Sequence, residues 1–478
     1  MAEIAGKKYV RTTAEEWTKI DGNNGRDVAP IPYTDGDEAF SLNITPAEIE
    51  GMKDASGDIR FHKVMEHLLP QFEDTEAGQQ SLWEWQAARM RNYMKYLVLH
   101  HGYKPKYYDP CGEKKGNICT EVQAHHVARF YGVMMARIFS SNSSIDNMFS
   151  VRENLDSVPC VKEVITQDAY KNLYQCMHFV DDWEADSDTE WKEFFYDTKV
   201  VVDTTTAAHR SKFGIVEGGF NSRWQEVINF GRWLTADESR VAGWYKSQMT
   251  CGPEPKPIRT GATLHTLCVT YGPLSTYKVF AQVYGGAKDE DLSNTKHANT
   301  SNLQKWVNLY NLMLKPFKGK GRCVTMDSAY MSDIMAQIGR YEWGINMVGT
   351  AQVNRTGADA KATVTDMKKR KGSHETNMWQ HNNLPLVFAA WSDNAVVKCL
   401  SNFHSPIIVE DGVQRRIKID GVRQRDPVGV PVPLQQKAYS ETFHKIDKGN
   451  GAEAKYDLGG NRYVYDPIEL LFYYIIII

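Results

Sequence analysis

The feature that most constrains this chain is a change of hydrophobic period along it. From Arg60 to about residue 190, apolar residues recur three and four positions apart. Examples are Leu82, Trp85, Met90, Met94 and Leu97, then Val122, Val127, Phe130, Val133 and Met134, then Tyr170, Leu173, Tyr174 and Met177. That spacing is the buried stripe of amphipathic helices. After Asp203 it gives way to short apolar and β-branched segments separated by Gly or Pro: Trp233–Asp237, Ala262–Thr270 and Tyr277–Tyr284. A helical stretch (Leu303–Leu314), a strand (Cys323–Asp327), a second helix (Tyr330–Ile338) and a further strand (Asn346–Thr350) follow. Three strands, helix, strand, helix, strand predicts an α/β fold built on a mixed sheet flanked by helices.

Texture divides the rest. Residues 1–60 are expected to be a loose leader and 61–195 a mostly helical region. Residues 196–354 hold the first part of the sheet. Residues 355–430 read as an inserted subdomain, with the basic run Lys368–Lys371 and strands at Leu386–Trp391 and Ala395–Leu400. Residues 431–460 resume with a helical stripe of Tyr439, Phe443 and Ile446 that closes at Asp447. Residues 461–478 form an aberrant tail ending in four isoleucines, uncharged and prone to β-aggregation.

Composition removes several classes of function. With 12 Trp and 24 Tyr, wholesale disorder is excluded. With 56 Lys+Arg against 59 Asp+Glu, nucleic-acid contact must come from local basic surface. No run approaches the roughly 20 apolar residues of a spanning helix, and Met1–Trp17 is no secretory signal, so no membrane association is expected. Eight cysteines spread over 478 residues fit reduced thiols inside a cell. No glycine-rich phosphate loop or nucleophile elbow is present.

Three carboxylates stand out by position. Asp237 follows the apolar segment Trp233–Leu234, Asp327 follows Cys323–Val324, and Asp447 closes the last helical stripe. Sites in open α/β sheets gather at the carboxyl ends of strands. Converging carboxylates need a counter-charge, for which Mg²⁺ or Mn²⁺ is the natural choice, and two such ions clamp both oxygens of a phosphodiester displacement. An Asp after a strand is also an ordinary turn residue or helix cap, and spacing alone leaves both readings open.

At this point the residues resemble a family. Val324-Thr-Met-Asp-Ser-Ala-Tyr330, then Trp343-Gly-Ile-Asn-Met-Val-Gly-Thr350 and Asn354-Arg-Thr-Gly357, is similar to the second catalytic block of piggyBac-type transposases. Asp237-Glu238 with Lys256-Pro257, Gly261 and Val283-Tyr-Gly-Gly286 resembles the first block. Trp391-Ser-Asp393, Leu400-Ser-Asn402 and His404 resemble the strand pair after the second, and Phe443-His-Lys-Ile-Asp447 the block with the third Asp. Tyr170-Lys-Asn-Leu173, Met177-His-Phe179 and Asp181-Asp182 match the element that precedes the catalytic domain. These blocks occur in the family's order over roughly residues 80–460.

The resemblance implies an RNase H-like core interrupted by an insertion, preceded by a helical dimerisation and DNA-binding region. It implies that Asp237, Asp327 and Asp447 are catalytic and ligate two Mg²⁺ or Mn²⁺ ions. The partners implied are double-stranded DNA (transposon ends and a TTAA-type target) and a second copy of the chain, in the nucleus. In such enzymes the metal activates water to nick DNA at the transposon end, and the freed 3′-OH makes a hairpin and then joins the target. Lys256, Arg322 and Arg355 lie near the motifs and are candidate DNA contacts. Three departures stand against the pattern: Asn450 where a further Asp is common, Ser328 where Asn is usual, and a likeness that stops near Gly460, which predicts a truncation or frame change. A derivative that binds DNA without cutting it is therefore the alternative. Cys111, Cys119, His125 and His126 offer four zinc ligands, but without the short Cys spacing of recognisable zinc sites. Lys368–Lys371 is a nuclear-localisation or phosphate-binding patch, or simply solvated surface.

Overall fold

The computed structural model of the chain describes residues 1–35, 41–74, 78–101, 122–139, 148–149, 159–175, 177, 206–242, 250–251, 261–271, 275–284, 302–419 and 422–448. Strand β1 (Trp17–Ile20) is followed by helices α1 (Leu82–His101), α2 (Ala124–Phe139), α3 (Gln167–Gln175) and α4 (Thr206–Val227). Their stripes meet as the spacing predicts. Trp85, Met90 and Met94 of α1, Val127, Phe130 and Met134 of α2, and Tyr170 and Leu173 of α3 share one core. Phe130 stacks on Tyr170 with ring centroids 4.8 Å apart. Each such side chain removed from water contributes about 1.5–3 kcal/mol, which is why the stripe specifies the packing.

Strands β2 (Trp233–Ala242), β3 (Gly261–Val269) and β4 (Lys278–Val283) form an antiparallel meander. Helix α5 (Asn302–Met313) then leads to β5 (Cys323–Met326), and α6 (Asp333–Tyr341) leads to β6 (Asn346–Thr350). Strand β5 lies parallel to β2, and β6 parallel to β5. The order β4-β3-β2-β5-β6 is that of an RNase H-like core. Residues alternate between faces along a strand. Leu234, Ala236, Val324 and Met326 accordingly bury against α5 and α6.

Helix α4 secures the open edge of this sheet. The Asn221 side chain donates to the Ala281 carbonyl and accepts from its amide, both at 2.9 Å, and Glu217 accepts from the Val283 amide at 3.1 Å. Backbone groups of β4 that would otherwise template another strand are thereby satisfied.

Two expectations fall here. Strands β7 (Thr376–His381), β8 (Val387–Ser392) and β9 (Val396–Ser401) do not form a sheet of their own. Strand β9 pairs antiparallel with β6, and β8 and β7 follow outward, so the sheet continues to ten strands among the described residues. Nor are residues 1–35 loose. Strand β1 pairs with β7 at the far edge, and the Thr12 amide and hydroxyl donate to the buried Asp333 carboxylate at 2.7 and 2.9 Å. The Ile31 amide donates to Asn346 at 2.8 Å. These partners lie more than 300 residues away in sequence, so the segment has no local period to reveal them.

The chain then forms a ribbon of β10 (Ile408–Ile419) and β11 (Val422–Pro433), apart from the main sheet, and continues directly into helix α7 (Leu434–Thr442). Helix α7 packs on the sheet face opposite α5 and α6, with Tyr439 joining Cys323, Val348, Cys399 and Phe403. Among the described residues no helix is long and apolar enough to cross a membrane.

Candidate active site

Parallel register builds the site. Met326 of β5 is opposite Ala236 of β2 and Gly349 of β6. One step further along each chain come Asp237, Asp327 and Thr350, which therefore form a row across three neighbouring strands. Asp327 lies just past the end of β5, as expected. Asp237 lies inside β2, which runs on to Ala242 instead of stopping at the carboxylate. Its continuation is paired to β3, with Asp237 opposite Thr266.

The adjacent carboxylates Asp237 and Glu238 are separated by the same alternation of faces. Asp237 faces α7, whereas Glu238 faces the other way and accepts from the Tyr330 hydroxyl at 2.8 Å. The pair Asp237-Glu238 is thus one recess residue and one half-buried partner of Tyr330 on the opposite face.

Asp447 reaches the row through α7. The helix ends at Thr442, the chain turns at Phe443–His444, and one further helical turn carries Asp447. The expected single stripe from Tyr439 to Asp447 is therefore broken in two. Threonines fix the end of α7 to the sheet. Thr325 and Thr442 hydroxyls are 2.7 Å apart, and the Thr235 hydroxyl donates to the Thr442 carbonyl at 3.1 Å. Both threonines sit two residues before a site aspartate, on the same face of its strand. Tyr439 stacks on Phe443 at 4.6 Å.

The three aspartates line a single recess of about 210 Å³ with Thr235, Thr325, Tyr439 and Phe443. Thr350 donates to Asp327 at 3.1 Å. The Ser328 amide donates to Asp327, and the Glu238 amide donates to Asp237 at 2.8 Å. Removal from water pushes the Asp237 carboxyl up to about 7, and the charges of Asp447, Asp327 and Glu238 push it the same way. The recess is thus a place where negative charge is already in excess.

These donors suit a hard cation. Carboxylate oxygens with no thiolate or imidazole among them match Mg²⁺ or Mn²⁺, and a cation would relieve the repulsion felt by Asp237. Yet among the described residues no group of three or more His, Cys, Asp or Glu side chains is already drawn into a metal-holding cluster. The recess supplies the right charge and atom type, with the Asp327 and Asp447 side chains exposed to solvent.

The candidate DNA contacts fare differently. Arg322 is buried, pairing with Asp35 and the Gly231 carbonyl on the far side of the sheet from the recess mouth. Its guanidinium holds the N-terminal segment to the start of β5. Arg355 donates to the carbonyls of Ser328 and Ala329 at 2.9 and 2.7 Å, clamping the turn that follows Asp327. Lys256 lies outside the described residues, as do Asn450, Cys111, Cys119 and the tail. His126 is buried and accepts from the Gln123 amide at 3.0 Å, which caps the start of α2. In the basic run, Arg370 pairs with Asp366 at 2.7 Å and Glu375 at 3.1 Å. Sequence reading overlooked the threonine supports, although their spacing of two from Asp237 and Asp327 was the available signal.

Comparison with known proteins fits this geometry. A family model described as transposase IS4 matches residues 106–462. A cryo-EM structure of a piggyBac transposase synaptic complex with hairpin DNA is similar at a TM-score of 0.61 and 16% identity, covering 91% of this chain and 75% of the other. That likeness is one of fold.

Proposed function

Because the chain belongs to the transposase IS4 family, we propose that it is a piggyBac-type DNA transposase whose reaction centre is the recess of Asp237, Asp327 and Asp447. The observation that carries this reading is the convergence of all three aspartates, from segments far apart in sequence, on one recess. Mg²⁺ or Mn²⁺, as two ions, would supply charge neutralisation and an activated water there. The chain's own share is positioning. Asp237 and Asp327 are held in register by paired strands, Thr350 and the Ser328 amide orient the Asp327 carboxylate, and the threonines fix the helix that delivers Asp447. Tyr439 and Phe443 give the recess an apolar wall that limits water.

The substrate proposed is double-stranded DNA, cut at transposon ends and joined at a TTAA-type target in the nucleus, by a homodimer. The helical residues 61–195 would provide dimer and DNA contacts. A second reading, DNA binding without cleavage, draws on the fact that the described carboxylates are not yet gathered into a metal-holding cluster.

One assay separates the two. A labelled duplex carrying the transposon end from the DNA flanking the gene is incubated with Mg²⁺ or Mn²⁺ and the wild-type or Asp327→Ala chain. Metal-dependent nicks that vanish with Asp327→Ala are the expected result. Equal binding by both chains with no nick from either would reject the reaction and leave the DNA-binding reading.

A further inference from the structure

Strands β2 and β5 stop pairing one residue short of the recess carboxylates. The last opposed residues are Ala236 and Met326. Beyond them β2 runs on beside β3, whereas the chain after β5 leaves the sheet at Asp327 and turns. Asp237 and Asp327 thus sit side by side just past the last pair. Their like charges, with Asp447 added, oppose that proximity, and Asp237 registers the repulsion. A side chain takes over where the strand pairing stops.

Tyr330 makes this link from the face opposite the recess. The amides of Tyr330 and Met331 both donate to the Asp327 carbonyl, at 3.1 and 3.0 Å, so the turn that carries Tyr330 closes on the aspartate itself. The Tyr330 hydroxyl donates to Glu238, which follows Asp237, at 2.8 Å. His265, opposite Glu238 on β3, brings its Nδ1 within 3.4 Å of the same hydroxyl. One phenol therefore joins the residue after Asp237 to the turn after Asp327. Its ring is seated firmly. Tyr330 is 2% exposed, with the Trp306 and Tyr310 rings of α5 packed edge-on at 4.8 and 5.5 Å. A hydroxyl buried this deeply is costly without a partner, and a bond to a carboxylate is roughly twice as strong as one between neutral groups.

We infer, resting on the functional reading above, that Tyr330 is a positioning residue whose bond to Glu238 sets the separation of Asp237 and Asp327 at which the recess takes divalent metal. Neither partner lines the recess: Glu238 faces away from it and Tyr330 is inside the core. Ligands bind an ion well when their geometry is fixed beforehand to within about 0.5 Å. Loss of a group that orients metal ligands lowers metal affinity or activity about 10–100-fold.

The test is direct Mn²⁺ binding to the full chain without DNA, read from the electron paramagnetic resonance signal of free Mn²⁺. Asp327→Ala identifies the recess site by abolishing it. Tyr330→Phe keeps the ring and removes only the hydroxyl. It should weaken Mn²⁺ at the recess about tenfold, raise the Mn²⁺ needed for half-maximal nicking by the same factor, and leave metal-free DNA affinity within about twofold of wild type. A purely structural role would lower the melting temperature without changing the Mn²⁺ affinity of the folded chain. Two variants of equal charge decide the matter if Tyr330→Phe folds poorly. Glu238→Gln keeps an acceptor oxygen for the hydroxyl and Glu238→Leu does not, so the Glu238→Gln chain should bind Mn²⁺ about fivefold tighter. Adding Tyr330→Phe to Glu238→Leu should then cost nothing further, because the bond is already gone. Mn²⁺ affinity within about twofold of wild type in folded Tyr330→Phe, or equal affinity of the two Glu238 variants, overturns the inference. A wild type without an Mn²⁺ site sensitive to Asp327→Ala overturns it too. Recess Mn²⁺ that weakens with Tyr330→Phe in a chain that never nicks rejects the reaction and leaves the positioning role standing. Nicking by a chain whose Mn²⁺ affinity ignores Tyr330 gives the reverse.

Discussion

Asp237 shows how a single carboxyl links the site to stability. Its pKa rises from 3.8 to about 7 in the folded chain without metal, so the fold binds that proton more tightly than the unfolded chain does. The associated stability is fully present below about pH 3.8 and is lost as pH climbs through 7. At pH 8 the ionised Asp237 opposes folding, and metal-free Asp237→Asn should be more stable than wild type by about 1–3 kcal/mol in urea unfolding. The difference should close toward pH 4, and Mn²⁺ should stabilise the wild type alone. A variant no more stable than wild type at pH 8 would contradict the repulsion assigned to this recess. Arg355 raises a second question at this scale, because its guanidinium is committed to the Ser328 and Ala329 carbonyls. Arg355→Ala should slow cleavage about tenfold and change DNA affinity less than twofold. A large loss of affinity with unchanged cleavage rate at saturation would return Arg355 to the role of DNA contact.

At the scale of elements, the site depends on how closely β5 and β6 approach. A Cβ at Gly349 would lie 2.4 Å from the Met326 carbonyl oxygen, so the two strands would have to separate. Gly349→Ala should therefore cost about 1–3 kcal/mol and shift Asp327 away from Thr350, visible as a lower Tm with lost cleavage. Gly132 on α2 has nothing within 4 Å of the same position. Gly132→Ala should be neutral or stabilising by up to about 1 kcal/mol. Legibility also differed among elements. The stripes of α1, α2 and α3, and the strand, helix, strand order from Trp233 to Thr350, were readable because each buries one face with its own period. Helix α4 was not. Gly214, Gly218 and Gly219 weaken its helical signal, yet Gly219 is where Phe72 packs so closely that a Cβ would sit 2.9 Å from its ring. Tertiary contact overrides propensity there. The ribbon β10–β11 was readable in principle, since Asp420-Gly421 between Ile419 and Val422 is a strong two-residue hairpin signal.

The whole molecule is tied together by its N-terminal segment. Thr12 serves Asp333, whose side chain is wholly buried, and Arg11 approaches the same carboxylate at 3.5 Å. Asp35 pairs with Lys320 at 2.9 Å and with Arg322. Deleting residues 1–35 would strip a buried carboxylate of its Thr12 donors and its Arg11 partner, leaving the Ile334 amide, a loss of about 3–5 kcal/mol when nothing replaces them. The truncated chain should melt more than about 5 °C lower, with partial recovery from Asp333→Asn. Equal melting of the truncated and full chains would show that the segment only decorates the core.

The sequence by itself determined the periods, and through them the helical first part, the mixed sheet and the three aspartates worth following. Those signals are local, because burial of one face repeats every two or every three to four residues. It could not show that Glu238 turns away from Asp237, that Arg322 is buried, or that the segments expected to be a leader and an insertion complete one sheet. Those outcomes were decided by pairing between residues hundreds of positions apart, where alternation of faces and strand register choose which side chain meets which. The site is therefore written in the sequence as residues and in the tertiary structure as neighbours.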